Sequence, residues 1–342
     1  MFNSKNIEII KKVFNKAIKS KYVYEAVMLV ENDSDFSINL EYGNKTIDSP
    51  IIAASVSKLF TTSCILILLE QKKISIDDTL DIFFDEEVLK GLHIFKGIDY
   101  SFKITISNLL FQTSGLPDWF EDVEKELMIK EDRFLTFEDM IVRTKKGRTV
   151  GIPGSKTYYS DINFDILGKI IEKVTNMPLE KVYKKYIFDK LNLTKTYLPV
   201  NEKEVIPKIY YKNDLLYRPK SIICSRASGG CVTTTKELMM FLKAFFGGKL
   251  FSKEIFETLS TYGKLQINKG PIYYGGGYMQ IPLGTIITLF MGSGEVIGHS
   301  GATGSFAFYY PRENLYFVGD FNQLSDPGLP IRTVLKITMK MK

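Results

Sequence analysis

Segments that favour β-structure lie at both ends of this chain and enclose a long helix-rich stretch, and that order restricts the fold more than any other feature. Val23–Val30 and Phe36–Tyr42 are rich in β-formers and are separated by Glu-Asn-Asp-Ser-Asp, which predicts a hairpin. After residue 205 the β-signals return. Lys208–Tyr211 and Leu215–Arg218 flank a Lys-Asn-Asp turn, and Tyr273–Ile281, Ile286–Phe290, Gly304–Tyr310 and Asn314–Phe321 read as successive antiparallel strands. Between them, residues from about 74 to 190 are mostly helical, with a Thr136/Asp139 capping box, Ser160 capping a helix over Ile162–Val174 and Pro178 opening the next.

Helical spacing also marks the two termini. Ile7, Ile10, Phe14, Ala17 and Ile18 share one face of a first helix, and Leu329–Met339 forms a last one. Ser55 to about Lys73 is a further helix, with Leu59, Phe60, Leu66, Ile67 and Leu69 as core candidates, and helices start near Thr235, closed by Gly247, and at Ser252. The predicted class is α/β of the α+β type: an antiparallel β-sheet built from both ends of the chain, flanked by terminal helices, with an inserted mainly helical lobe. We take residues 1–342 as one domain, with 1–54 and 191–342 forming the α/β lobe and 55–190 the helical lobe. A cleft between lobes is the default site.

Charge narrows the partners. Forty-five Lys and Arg against 39 Asp and Glu give a net +6 without long single-sign runs, which lacks the dense basic stripe that nucleic-acid binding needs. Apolar content of 45% with 25% charged residues describes a globular chain. The longest apolar run, Cys64–Leu69, is too short to span a bilayer, and the Lys-studded first residues do not read as a signal peptide, so the expectation is a cytoplasmic chain with no membrane partner. Cys64, Cys224 and Cys231 fit neither a zinc pattern nor a disulfide framework and read as reduced core thiols. With two histidines, His93 and His299, no metal centre is expected, and His93 reads as a surface or packing residue.

Two strings carry nucleophile chemistry. Gly298-His299-Ser300-Gly301-Ala302 has the form of a nucleophile elbow, but hydrolases using that elbow place their base histidine downstream of the serine, and none follows His299. Ser55-Val56-Ser57-Lys58 offers a lysine in place of a histidine. Positions i and i+3 share a helix face with Cβ atoms roughly 5–6 Å apart, so Lys58 can reach Ser55. At a helix N-terminus the Ser55 N–H is also free to donate to an oxyanion. A lysine of ordinary pKa about 10.4 must fall by roughly 3.4 to be half neutral near pH 7, about 4.6 kcal/mol. A helix N-terminus supplies only ~0.3–2 kcal/mol of that. The site therefore needs a helper group.

At this point the chain resembles the serine β-lactamase and penicillin-binding-protein superfamily, in its class C-like branch of esterases and D-amino-acid peptidases. Four blocks match in order over about residues 23–325. Ala54-Ser55-Val56-Ser57-Lys58 with Phe60-Thr61 and then Ile74-Ser75-Ile76-Asp77-Asp78 is similar to the nucleophile helix and its loop. Ile104–Leu110 with Thr113-Ser114-Gly115-Leu116-Pro117 is similar to the middle motif, and Pro153-Gly154 to Tyr159-Ser160-Asp161 to the second catalytic motif. Gly229-Gly230 and Gly298-His299-Ser300-Gly301 with Gly304 fall where the later motifs do.

The resemblance implies a β-lactamase/transpeptidase-like fold and a serine hydrolase that forms an acyl-enzyme on Ser55 without metal or organic cofactor. Tyr159 takes the helper position beside Lys58, and the N–H of Ala302 pairs with that of Ser55 as oxyanion donor. Asp161 departs from the asparagine usual in the second motif. It either holds Lys58 charged and repels anionic substrates, or merely assists the helix start. His299 stands where penicillin-recognising members more often have lysine. It is expected to bind or orient substrate and to titrate near neutral pH. Ser300 and Gly301 complete that motif, and Ser300 is either substrate-facing or a plain strand residue. Trp119 either walls the acyl pocket or packs in the core.

Expected substrates are small esters, amides or D-amino-acid peptides, with β-lactams less favoured. A non-catalytic or acyl-trapping binding protein is the rival reading. An acyltransferase differs only in the acceptor.

Overall fold

The structure is a computed structural model, and it describes residues 4–120, 129–266, 270–285, 288 and 290–341. Among these, fourteen strands run in chain order: β1 (Ala26–Glu31), β2 (Ser37–Tyr42), β3 (Pro50–Ile52), β4 (Ile94–Phe95), β5 (Ile98–Asp99), β6 (Ile209–Tyr211), β7 (Asp214–Leu216), β8 (Val232–Thr234), β9 (Gly263–Lys264), β10 (Tyr273–Gly275), β11 (Tyr278–Pro282), β12 (Glu295–Ser300), β13 (Ser305–Tyr310) and β14 (Leu315–Asp320). Eight of them form one sheet in the order β2-β1-β14-β13-β12-β11-β10-β9. Every neighbouring pair in it is antiparallel.

The two ends of the chain meet inside this sheet, where Val27 faces Asp320 and Val30 faces Phe317. Burial follows sequence. β1 reads Ala-Val-Met-Leu-Val-Glu and is buried along nearly its whole length, as is β14, so both are central strands covered on both faces. β2 alternates and is exposed on one side, as an edge strand must be. The first helix, Ser4–Ala17, packs on the last, Leu329–Thr338, while Thr235–Gly247 lies against β1, β13 and β14. This is the predicted antiparallel sheet with terminal helices and a helical insert.

The helix Lys58–Glu70 departs from the expected one-faced pattern: every residue from Lys58 to Leu68 is buried. A helix apolar all round belongs in the interior, and each fully buried Leu, Ile or Phe on it contributes about 1.5–3 kcal/mol. Thr61 bonds the Tyr183 hydroxyl and the Ala227 carbonyl, both at 2.6 Å, and Thr62 donates to Gly277 O at 3.0 Å. This helix is thereby tied to the insert and to the sheet.

Other expectations shift in detail. Tyr273–Ile281 is a hairpin, not one strand, because Gly276 and Gly277 take φ +58° and +87° and turn the chain between β10 and β11. Ser160 starts the helix Asp161–Thr175 without capping it, since its hydroxyl donates to Pro117 O at 3.0 Å instead. Thr136 and Asp139 do form the reciprocal box. Of the strand expected at Ile286–Phe290, residues 286, 287 and 289 lie outside the described residues. Among the described residues no helix is long and apolar enough to cross a membrane.

Candidate active site

The chain enters the site through β3, which among the described residues pairs with β8 alone. Ala53 N–H donates to Cys231 O at 2.9 Å, and the hydroxyls of Thr303 and Ser305 donate to Ile52 O and Ala53 O at 3.0 and 2.7 Å. These bonds hold Ala54 at φ +44°, a left-handed conformation that costs a non-glycine residue on the order of 1–3 kcal/mol. The turn that follows, Ala54–Ser57, is 3₁₀ rather than α, and the α-helix starts at Lys58. Three residues per turn eclipse positions i and i+3. That is why Ser55 and Lys58 line up so closely.

Lys58 Nζ lies 3.1 Å from Ser55 Oγ, donates to Ser228 O at 2.7 Å, and sits 2.5 Å from Asp161 Oδ1. The contact with Asp161 is an ion pair without hydrogen-bond alignment. The ammonium is completely enclosed and also stands 5.1 Å from the Tyr159 ring centre and 5.5 Å from that of Phe164. The Tyr159 phenol stands near enough to Ser55 for that hydroxyl to bear on its ionisation. Burial, and next the Asp161 charge, push the Tyr159 phenol well above its ordinary range, so it is protonated at neutral pH.

Tyr159 lies on a segment outside any strand, so its backbone is held by side chains. Gln112 accepts from Ser160 N–H at 2.9 Å and from Asn163 at 2.5 Å, Gln266 from Tyr159 N–H at 2.9 Å, and Asp118 from Asp161 N–H at 3.1 Å. These three acceptors, Gln112, Gln266 and Asp118, were missed from sequence. Polar loop residues give no periodic signal, and only the order of the motifs around them could have marked them out.

In front of Ser55 is a small cleft of about 40 Å³, lined by Ala54, Ser55, Phe120, Asp161, Ile222, Ser225, Ser228, Gly229, Ala302, Thr303 and Leu324. Ser55 and Ala302 thus face one space, while Lys58 and Tyr159 stand behind the serine. Ser55 is in the first turn of its helix, where N–H groups have no intrahelical acceptor. Ala302 follows the end of β12.

Of the substrate-facing set expected from sequence, Asp161 lines the cleft, but His299, Ser300, Gly301 and Trp119 do not. His299 is fully buried, with Nδ1 2.8 Å from Ser300 O and Nε2 3.4 Å from the Tyr274 hydroxyl. Burial first, and the Lys58 charge second, push it down to about 3, which corrects the expectation of titration near neutral pH. Ser300 is nearly enclosed at the end of its strand. Gly301 is where the backbone passes under Ala54: a Cβ there would meet Ser305 Oγ at 2.2 Å, Ala53 O at 2.7 Å and Ala54 Cβ at 2.8 Å. Trp119 turns into the core and donates its indole N–H to Asp165 Oδ2 at 3.0 Å, leaving Phe120 as the aromatic wall.

His93 is buried with Nε2 2.9 Å from Gly151 O, a packing residue remote from these groups. The three cysteines are free and buried. Among the described residues no group of three or more His, Cys, Asp or Glu side chains is arranged to hold a metal ion.

Comparison with known proteins is consistent with this geometry. The Beta-lactamase family model matches residues 42–335. The acyltransferase mokF of Monascus pilosus is 26% identical over 217 residues, covering 56% of this chain and 52% of its own. The chain therefore spans about half the length of the curated relatives it matches first. Among solved structures, a D-stereospecific amidohydrolase from Streptomyces sp. superposes with TM-score 0.77 at 24% identity, covering 95% of this chain and 97% of that one. EstCE1, a hydrolase with promiscuous acyltransferase activity, superposes with TM-score 0.77 at 18% identity, covering 97% and 98%. At these identities the superpositions establish the fold.

Proposed function

The chain belongs to the Beta-lactamase family, and from that premise we propose that it is a serine hydrolase working through an acyl-enzyme on Ser55. The observation that carries the reading is the convergence on one hydroxyl of the Lys58 amine at 3.1 Å and the Tyr159 phenol, beside a cleft lined by Ser55 and Ala302.

In this reading Ser55 Oγ attacks the substrate carbonyl and its proton passes to Lys58 in the neutral form. The Ser55 and Ala302 N–H groups take the developing oxyanion. Tyr159, which burial keeps protonated, donates to the departing alcohol or amine. Water then attacks the ester carbonyl as Tyr159 takes back a proton from it, and Lys58 returns its proton to Ser55 as the acid leaves. Asp161 opposes the first step, because a carboxylate in contact with Lys58 favours the ammonium.

The cleft has one apolar side, formed by Phe120, Ile222 and Leu324, and one carboxylate, Asp161. This supports small, uncharged or cationic acyl groups joined as esters or amides, D-amino-acid peptides among them. Transfer of the acyl group to an alcohol or amine is the second reading, favoured by the names of two similar proteins.

A panel of p-nitrophenyl esters, D-alanyl peptides and a chromogenic cephalosporin, offered to wild type and Ser55→Ala, tests it. Hydrolysis of at least one ester that Ser55→Ala lacks is the expected result. Equal hydrolysis by both would overturn the reading, and a stable adduct without turnover would replace it with an acyl-trapping sensor.

A further inference from the structure

Two buried carboxylates face a single buried cation in this molecule. Asp161 and Asp165 are one turn apart on the helix Asp161–Thr175, and residues i and i+4 of a helix share a face. Both are buried. One ammonium, that of Lys58, lies against this face and contacts Asp161. A single positive charge cannot hold two enclosed carboxylates ionised, because like charges sharing a site force one to keep its proton. Asp161 holds the direct ion pair, so the proton falls to Asp165.

Asp165 is also wired into the scaffold of the site. Its Oδ2 accepts the Trp119 indole N–H at 3.0 Å, while the Ser228 hydroxyl donates to Ser225 O at 2.9 Å. The carbonyl of that same Ser228 accepts from Lys58 Nζ at 2.7 Å. The groups that bear on Asp165 are Asp161 on its own helix, Lys58 on the central helix and the Tyr159 phenol from a loop. The Cys224 thiol beside it is pushed up to about 12 by burial and so stays neutral. Arg226, across the side cavity that Asp165 lines, is already paired with Glu172 and Glu180. Lys169, which lines the same cavity, is likewise paired with Glu172, so both cations that line it already have carboxylate partners.

Resting on the acyl-enzyme reading above, we propose that Asp165 is a positioning residue for Ser55 acylation that acts through Lys58 and Tyr159: by gaining or losing its proton it sets the charge that the two groups feel. Burial and then the neighbouring Asp161 raise its pKa to about 7, which puts the change within the working range. Ionised Asp165 favours the Lys58 ammonium and the Tyr159 phenol, and so opposes transfer of the Ser55 proton. Protonated Asp165 does not. The cavity of about 340 Å³ behind it gives its proton a route to solvent apart from the substrate cleft.

The test is the pH dependence of p-nitrophenyl acetate hydrolysis, from pH 5 to 9, by wild type and Asp165→Asn, with thermal unfolding measured over the same range. Asparagine keeps an acceptor for Trp119 and loses the charge. The expected result is that kcat/KM coincides at pH 6 and below, while above pH 7.5 the variant leads by up to about tenfold, a factor equivalent to one pKa unit at the base. Its melting temperature should rise relative to wild type as pH goes from 5 to 8.

Trp119→Phe provides a second, independent handle. It removes a donor that favours the Asp165 anion, so the pH at which the profile bends should move up. Superimposable profiles, or an Asp165→Asn rate lower by one constant factor at every pH, would overturn the proposal. Loss of the Ser55 adduct in wild type, read by intact mass, would instead strike down the acyl-enzyme reading and this inference with it.

Discussion

Lys58 Nζ and Asp161 Oδ1 stand 2.5 Å apart behind the cleft, so the amine proposed as the base is held in an ion pair. Replacing Asp161 by Asn keeps the shape and removes the charge. The pair must be given up before Lys58 can take the Ser55 proton, so kcat/KM at pH 7 should rise in Asp161→Asn, by roughly tenfold if the pair adds about 1.4 kcal/mol to the acylation barrier. Stopped-flow ester hydrolysis reads it. An unchanged or lower rate would mean that the Lys58–Asp161 pair does not oppose acylation.

Gly301 is a steric prediction. A methyl group there has no space between Ser305 Oγ, Ala53 O and the Ala54 Cβ, all within 2.8 Å of its position. The turn carrying Ala302 must therefore shift away from Ser55. Gly301→Ala should lose about 1–3 kcal/mol of stability, the usual cost of overpacking, and at least about a hundredfold in acylation, the scale of one lost oxyanion donor. Urea unfolding and the burst amplitude with an activated ester measure the two effects separately.

The buried His299 ties stability to pH. Its folded-state pKa of about 3 lies below the ordinary 6.5 because burial and Lys58 oppose its charging. The unfolded chain therefore binds the extra proton between those values, and stability present above pH 6.5 is lost as pH falls toward 3. Between pH 7 and 4.5 the loss attributable to this residue is about 2–3 kcal/mol. His299→Gln, compared by urea unfolding at both pH values, should show a pH-dependent loss smaller by that amount. Equal losses would show that His299 is charged in the folded protein.

The framework and the closeness of Ser55 to Lys58 were legible in sequence for physical reasons, and so were the limits. The β-forming residues of β1, β2, β13 and β14 and the 3.6-residue spacing of the terminal helices mark the sheet and its cover. The Ser55/Lys58 pair follows from spacing, although the 3₁₀ geometry that aligns them depends on bonds to Ala53 O and Ile52 O from residues 250 positions away, which no local pattern announces. Exposure is harder to read. His299 and Trp119 sit in recognisable strings, yet both turn inward, because a polar atom on each finds a buried partner: Ser300 O for one and Asp165 for the other. Phe120, one residue on from Trp119, faces the cleft instead. Which of two adjacent aromatics faces solvent is decided by tertiary hydrogen bonds, not by their order in the chain.

The most direct measurement is acid-quenched intact mass, followed by peptide mapping, during turnover of an activated ester by wild type and Ser55→Ala. The account predicts an acyl adduct on the peptide bearing Ser55 that forms within the first turnover, decays as product accumulates, and is absent from Ser55→Ala. Turnover without any adduct, or an adduct that maps elsewhere and survives in Ser55→Ala, would contradict it.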